Sequence, residues 1–143
     1  MAKVDIRLPE EFLMKISRLD EETDAIIPKV LEAGAAVVLP KVKANLRDAI
    51  GRNTKYKSRS SGELLEALGV SPARQDKDGN FNVKVGFREP RKDGGINAKL
   101  ANILEYGKSG QPPKPFLKPA KTATRIPCIQ ALEQKLEQEI ESL

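Results

Sequence analysis

Apolar residues recur with the period of an α-helix between residues 24 and 50. They are Ile27, Val30, Leu31, Gly34, Val38, Val42, Leu46, Ala49 and Ile50. This spacing predicts one long helix with Thr23 or Asp24 as its N-cap. Pro40 removes a backbone hydrogen bond and clashes with the preceding turn, so we expect a kink or a break close to Leu39. The segment is the most apolar in the chain and is predicted to be its central packing element.

A period of two replaces the helical period further along the chain. Phe81, Val83, Val85 and Phe87 alternate with polar or small residues, which predicts a half-buried β-strand. Asp78-Gly79, just before it, is a hairpin turn signal. The partner strand is expected around residues 68–74, at the edge of the sheet, because Pro72 cannot donate to a ladder.

Two short helices are predicted from weaker patterns. Residues 9–19 begin with a proline and two glutamates, which suit a first helical turn, and continue with apolar residues on one face. Leu100, Ile103 and Leu104 predict a second short helix, which Gly107 terminates.

The C-terminal helix carries a narrow apolar stripe. Its members are Ile129, Leu132, Leu136, Ile140 and Leu143, at spacings of three and four. The helix is predicted to begin near Pro119, and Pro127 is expected to interrupt it just before the stripe. A stripe of this width, flanked by Glu and Lys, fits either packing on the rest of the domain or pairing with another helix.

Together these elements predict a single α+β domain over residues 1–143. A long kinked helix and a C-terminal helix would pack on a small antiparallel sheet with the β-hairpin at its core. Residues 1–22 would form an N-terminal helical arm. Aromatic residues are 4% of the chain and charged residues 31%, so the core is expected to be aliphatic. Such a chain can complete its burial against partner subunits.

The composition argues against catalysis. Histidine is absent, which removes the commonest general base and the commonest transition-metal ligand. Cys128 is the only cysteine, so a zinc site of Cys and His cannot form, and a small residue on a helix face is the expected role of this thiol. We therefore expect no enzyme activity, catalytic residue, cofactor, metal or small-molecule substrate. No apolar run approaches the roughly 20 residues of a membrane span, so no membrane partner is expected.

The net charge of +5 is unevenly distributed. Residues 41–59 carry a single acid, Asp48, and seven basic residues: Lys41, Lys43, Arg47, Arg52, Lys55, Lys57 and Arg59. Residues 133–141 are acidic instead. The asymmetry fits nucleic-acid steering, head-to-tail contact between copies, or a solvated surface. Tyr56 lies within the basic segment as a candidate stacking residue, so a small basic nucleic-acid-binding protein is the alternative function.

A motif follows the short helix that Gly107 terminates. It comprises Glu105-Tyr106-Gly107, Lys108-Ser109, Pro112 and Pro115-Phe116-Leu117-Lys118-Pro119-Ala120. In this motif the chain resembles the tail-component family of long-tailed bacteriophages, the gene-product-ten-like group that includes tail completion and head–tail joining proteins. The upstream order is similar as well: a long helix, a basic linker, Ser61-Gly62-Glu63-Leu64 and a hairpin. The resemblance spans roughly residues 24–142.

The resemblance implies a tail-component-like domain over residues 24–143 and a structural role in virion assembly. Such a protein would complete the tail or join it to the head as a ring, with hexameric symmetry. It would contact other copies of itself, neighbouring neck and tail proteins and passing DNA, and would be assembled in the host bacterial cytoplasm. Tyr106, Phe116 and Leu117 are candidate interaction residues. Phe116 and Leu117 can serve either as a core anchor for the helix junction or as a direct contact with a neighbouring subunit.

Overall fold

The computed structural model of the chain describes residues 3–11, 23–50, 63–89 and 96–142. These ranges contain four helices and four strands with clear bounds. In chain order they are β1 (Val4–Ile6), α1 (Thr23–Ala49), α2 (Glu63–Ala67), β2 (Leu68–Val70), β3 (Arg74–Gln75), β4 (Phe81–Phe87), α3 (Asn97–Tyr106) and α4 (Leu117–Glu141). The predicted α+β class is confirmed. Of the helix predicted over residues 9–19, Glu10 and Glu11 are helical and residues 12–19 lie outside the described ranges.

The strand predicted from period-two alternation, β4, is the centre of the sheet. It pairs antiparallel with β1 on one side and β2 on the other, while β3 pairs with its first residues. Val85 thus faces Val4 in one neighbour and Val70 in the other. The three residues of β1 are too few to show a period, which explains why the sequence pattern did not predict this strand.

The predicted hairpin is present and its turn follows the expected chemistry. Gly79 has φ +83°, a conformation that side chains disfavour. The Asp76 carboxylate accepts hydrogen bonds from the backbone N–H groups of Asp78 and Asn80, at 2.9 and 3.0 Å. Pro72 lies between β2 and β3, where pairing with β4 is interrupted, so its missing N–H costs the ladder nothing.

The two long helices, α1 and α4, pack antiparallel along their lengths. Lys29 Nζ lies 3.6 Å from a carboxylate oxygen of Glu139 near one end of the pair. Near the other end, Asn45 Nδ2 donates to the carbonyl of Phe116 at 3.3 Å. Between these contacts, a Cβ added to Gly34 would lie 2.7 Å from Leu132 Cδ2, so glycine permits the close approach of the helices.

Neither proline expected to interrupt a long helix does so. Helix α1 is continuous through Pro40 and α4 is continuous through Pro127, so the predicted interruption of α4 is wrong and α1 is not broken. Both prolines are exposed, as are Ala36 and Ala123, whose carbonyls lose their helical donors. Water can bond to those carbonyls, while the buried face on the other side of each helix holds it in place.

The hydrophobic core surrounds α1, which packs against α4 and against the strands of the sheet. Val30, Leu31, Val42 and Leu46 of α1 are fully buried together with Val83 and Val85 of β4. Leu132 and Leu136 of the predicted C-terminal stripe are buried in the same cluster, so α4 packs within its own domain. Phe116 closes one end of the core, with its ring edge-on to Phe87 at a centroid distance of 6.2 Å.

Replacing Gly34 by valine is predicted to separate the long helices. The added methyl groups would meet Leu132 and Cys128, and overpacking of this kind costs about 1–3 kcal/mol of the free energy of unfolding. The free energy would be measured by urea denaturation. Ala36→Val, on the exposed side of the same helix, is the matched control and should change stability by less. Equal losses in the two variants would show that the helices do not approach closely at Gly34.

Candidate interaction site

The two halves of the sequence motif are joined by one buried carboxylate. Glu105, only 4% exposed, accepts hydrogen bonds from three consecutive backbone N–H groups at the start of α4. The bonds come from Phe116 at 2.7 Å, Leu117 at 2.8 Å and Lys118 at 3.0 Å. These N–H groups have no partner within their own helix, and the helix dipole favours a negative charge beside them. Glu105 is therefore the cap of α4, supplied by another helix.

Neither α3 nor α4 is preceded by a residue whose side chain caps the helix. Phe116 precedes α4 and Ile96 precedes α3, and neither side chain bonds to its helix. At α3 the cap is again a distant glutamate: the Glu89 carboxylate accepts from the backbone N–H groups of Asn97 at 2.8 Å and Ala98 at 2.6 Å. The end of β4 thus fixes the start of α3, and the end of α3 fixes the start of α4.

The loop between α3 and α4 is closely constrained. The N–H of Gly107 donates to the carbonyl of Ile103 at 2.8 Å, Lys108 and Gln111 bond to each other through both backbone groups, and Lys114 N–H donates to a carbonyl of α3 at 2.6 Å. Gly107 has φ +78°, and a Cβ there would lie 2.8 Å from the backbone nitrogen of Pro113. Three of the chain's ten prolines limit the loop further. The loop is therefore held in one shape before any partner binds.

The candidate residues of the motif have opposite environments. Phe116 and Leu117 are 0% and 3% exposed and belong to the hydrophobic core, as their interpretation as a core anchor requires. Direct contact with a neighbouring subunit would require this junction to open. Tyr106 is 69% exposed, at the base of the constrained loop. Of the three, it alone has an exposed side chain.

Three of the seven predicted basic residues lie within the described part of the chain. Lys41, Lys43 and Arg47 are exposed on α1, whereas Arg52, Lys55, Lys57 and Arg59 lie outside the described ranges. The antiparallel packing brings the first half of α4 beside them, because Asn45 contacts Phe116. This half adds three more exposed basic residues: Lys118, Lys121 and Arg125. We call these six described residues the basic end of the helix pair.

The opposite end of the helix pair is acidic. Its exposed carboxylates come from the start of α1 and the last part of α4: Asp24, Glu32, Glu133, Glu137 and Glu141. Glu139 is half-buried among them and pairs with Lys29 at 3.6 Å and Lys135 at 3.3 Å. Within the described ranges, no ion pair involves the other five carboxylates. We call these five residues the acidic end.

Sequence reasoning missed Glu105, and it missed the basic residues of α4. The predicted apolar residues of α3 include Leu100, which is exposed, whereas the face that is buried carries Asn97, Ala101 and Glu105 at a spacing of four. That spacing was the available signal for Glu105. Nothing in the sequence showed that α4 lies beside α1, so its basic residues could not be grouped with Lys41 and Lys43.

Metal-binding side chains and the single thiol were the remaining candidates for chemistry in the described residues. Within them, no cluster of three or more His, Cys, Asp or Glu side chains could hold a metal ion. Cys128 is buried against α1, and burial raises the pKa of its thiol above the ordinary value by disfavouring the charged form. The thiol therefore stays protonated at neutral pH. None of the helices in the described part of the chain has both the length and the apolar character needed to cross a membrane.

Replacing Glu105 by alanine is predicted to destabilise the whole domain. It leaves three backbone donors without a partner, two of them on fully buried residues, and one unsatisfied buried group costs about 1–3 kcal/mol. The free energy of unfolding would be measured in urea. Glu133→Ala, at an exposed position of α4, is the control and should change it by less than about 0.5 kcal/mol. If the two variants were equally stable, Glu105 would not be holding the junction.

Two glycines of the loop offer a matched comparison. Gly107 and Gly110 have nearly the same positive φ, +78° and +79°, but a Cβ would clash with backbone only at Gly107. Gly107→Ala should therefore lower the free energy of unfolding by more than Gly110→Ala, in which the conformational cost acts alone. Thermal unfolding of both variants would measure the difference. A Gly110→Ala variant that lost as much stability would mean that the close packing at Gly107 is not essential.

One of three comparisons with known proteins assigns the chain to a family. A search of curated proteins and a search of solved structures found no match. The family profile described as "Bacteriophage HK97-gp10, putative tail-component" matches residues 10–107, more than half of the chain. The match begins before residue 24 and ends at Gly107, so it includes Glu105 and Tyr106 but not the Pro115–Ala120 segment that the sequence resemblance used. The chain therefore belongs to the HK97-gp10-like family of bacteriophage tail components.

Proposed function

We propose that this tail component completes the phage tail or joins the tail to the head, acting through contacts between subunits and without turnover. Membership of the family gives the protein a structural role in the tail and a place in the virion. The observation that carries the finer proposal is the separation of charge in the helix pair. A surface that is basic at one end and acidic at the other suits ordered contact with neighbouring subunits.

The same observation supports assembly of several copies into a ring. A contact between two different surfaces is repeated from copy to copy, and it closes into a ring when the rotation between copies permits. Hexameric symmetry, implied by the symmetry of such tails, is the symmetry we propose. Assembly would take place in the host bacterial cytoplasm, and the neighbouring neck and tail proteins would be the other partners.

The alternative is a small basic nucleic-acid-binding protein, and the basic end favours it. The fold brings the basic residues of α1 beside Lys118, Lys121 and Arg125 of α4. One surface could therefore neutralise more phosphates than α1 alone. The same grouping would allow passing DNA to touch this surface in an assembled tail. Tyr56, the candidate stacking residue, lies outside the described ranges.

Mass in solution, measured by light scattering with and without purified phage tails or connectors, tests the proposal. We expect a species of several copies, or one that forms only on the tails, because subunit contacts are the proposed activity. Phe116→Ala is unsuitable as a probe of contact, because truncating a fully buried Phe costs about 3–5 kcal/mol and would unfold part of the domain.

The control for this measurement is DNA in place of the phage particles. The chain could instead remain a monomer, fail to bind tails and connectors, and bind DNA with an affinity that falls steeply as salt is added. That result would overturn the assembly function in favour of the alternative. Replacing Lys55, Lys57 and Arg59 together by serine should then abolish DNA binding.

A further inference from the structure

We infer that copies of this chain contact one another head to tail, with the basic end and the Tyr106 loop of one copy docked on the acidic end of the next. The inference rests on the proposed assembly function and names its partner and surfaces. We define the Tyr106 loop as residues 106–113. It lies at the basic end because it leads to Phe116, whose carbonyl accepts a hydrogen bond from Asn45, between Lys43 and Arg47 on α1.

The two charged ends cannot satisfy one another within a single copy. On α4 the nearest members of the two ends, Arg125 and Glu133, are 8 residues apart, or about 12 Å, and the outermost, Lys118 and Glu141, are 23 residues apart, or about 35 Å, at 1.5 Å per residue. Both separations exceed the screening length of about 8 Å at physiological ionic strength. Each end therefore attracts an external partner of opposite charge, and the chain itself presents such a partner in its next copy.

Charge alone would give a weak contact, because exposed ion pairs contribute little affinity. The Tyr106 loop adds an aromatic contact that can contribute more binding energy. Its tyrosine is 69% exposed, and Tyr106, Pro112 and Pro113 line an open depression of about 480 Å³. Tyrosine is one of the side chains that dominate binding energy at protein interfaces. Because Glu105, Gly107 and the prolines already fix the loop, little conformational entropy remains to be lost on docking.

The charges disfavour a symmetric pairing of like ends. In a two-fold dimer built on the basic end, Lys43 and Lys121 of one copy would face the same lysines of the other and repel them. The acidic end would repel its own copy in the same way. Basic-to-acidic contact is the pairing that the charges favour. It uses both ends of every copy, whereas DNA would occupy the basic end and be repelled by the acidic end.

Reversing charge at each end separately tests the inference. Lys43→Glu with Lys121→Glu changes the basic end, and Glu133→Lys with Glu137→Lys changes the acidic end. All four side chains are exposed, so the fold should be retained, which circular dichroism would verify. Reversing two side chains lowers the six positive charges of the basic end to a net +2, or the five negative charges of the acidic end to a net −1. Each variant alone should therefore associate more weakly than the unmodified chain in sedimentation at low salt, and should bind less to purified tails. An equal mixture of the two should associate again, because each copy supplies the surface that the other lacks.

Two sets of controls separate the contact from general effects of charge. Lys99→Glu and Glu66→Lys, made one at a time, reverse charge at exposed positions of α3 and α2 that belong to neither end, and should associate like the unmodified chain. Tyr106→Ala keeps every charge and should weaken association at least tenfold, because it removes the aromatic anchor.

The outcomes distinguish this inference from the proposed function. Self-association that is unchanged in both charge-reversed variants, or a mixture that associates no better than either variant alone, would overturn head-to-tail docking and leave the assembly role intact. A wild-type chain that is monomeric in solution and never reaches the tails would overturn both. If Lys43→Glu with Lys121→Glu abolishes DNA binding but leaves self-association unchanged, the basic end serves nucleic acid and the inference is wrong.

Discussion

The carboxylate of Glu105 is the interaction on which the C-terminal half of this protein depends. A charge buried in a folded chain is costly unless hydrogen bonds replace its water, and here three backbone N–H groups of α4 do so. The same bonds satisfy donors that α4 cannot satisfy itself. They also place Phe116 and Leu117 against the core and leave Tyr106, the next residue after Glu105, at the surface. One side chain thus determines what the motif buries and what it exposes.

The position of α4 has an electrostatic consequence. Antiparallel packing on α1 puts the basic half of each helix at one end of the pair and the acidic half at the other. Gly34 permits this packing because any larger residue there would meet Leu132. The charge separation that we propose for assembly is therefore produced by helix packing, and a change in the core would alter the surface as well.

The prolines of the two long helices show that local helix propensity does not by itself decide where a helix ends. Pro40 and Pro127 each remove a helical hydrogen bond, and propensity alone favours a break. Both helices continue, because each proline and the carbonyl that it leaves unpaired are on the exposed side. Tertiary burial of the opposite face outweighs the local cost, and that burial cannot be calculated from neighbours in sequence.

The sequence by itself determined the features that depend on local periodicity. These were the long helix α1, the alternating strand β4 with its Asp-Gly turn, and the termination of α3 at Gly107, together with the α+β class and the resemblance to phage tail components. The tertiary structure alone decided the rest. The pairing of the three-residue β1 with β4, the capping of α4 by Glu105 and the grouping of Lys121 with Lys43 all join residues that are far apart in the chain. Hydrophobic periodicity shows which face of a helix or strand is buried, but it does not show which other element packs against that face. These three features depend on which elements pack together.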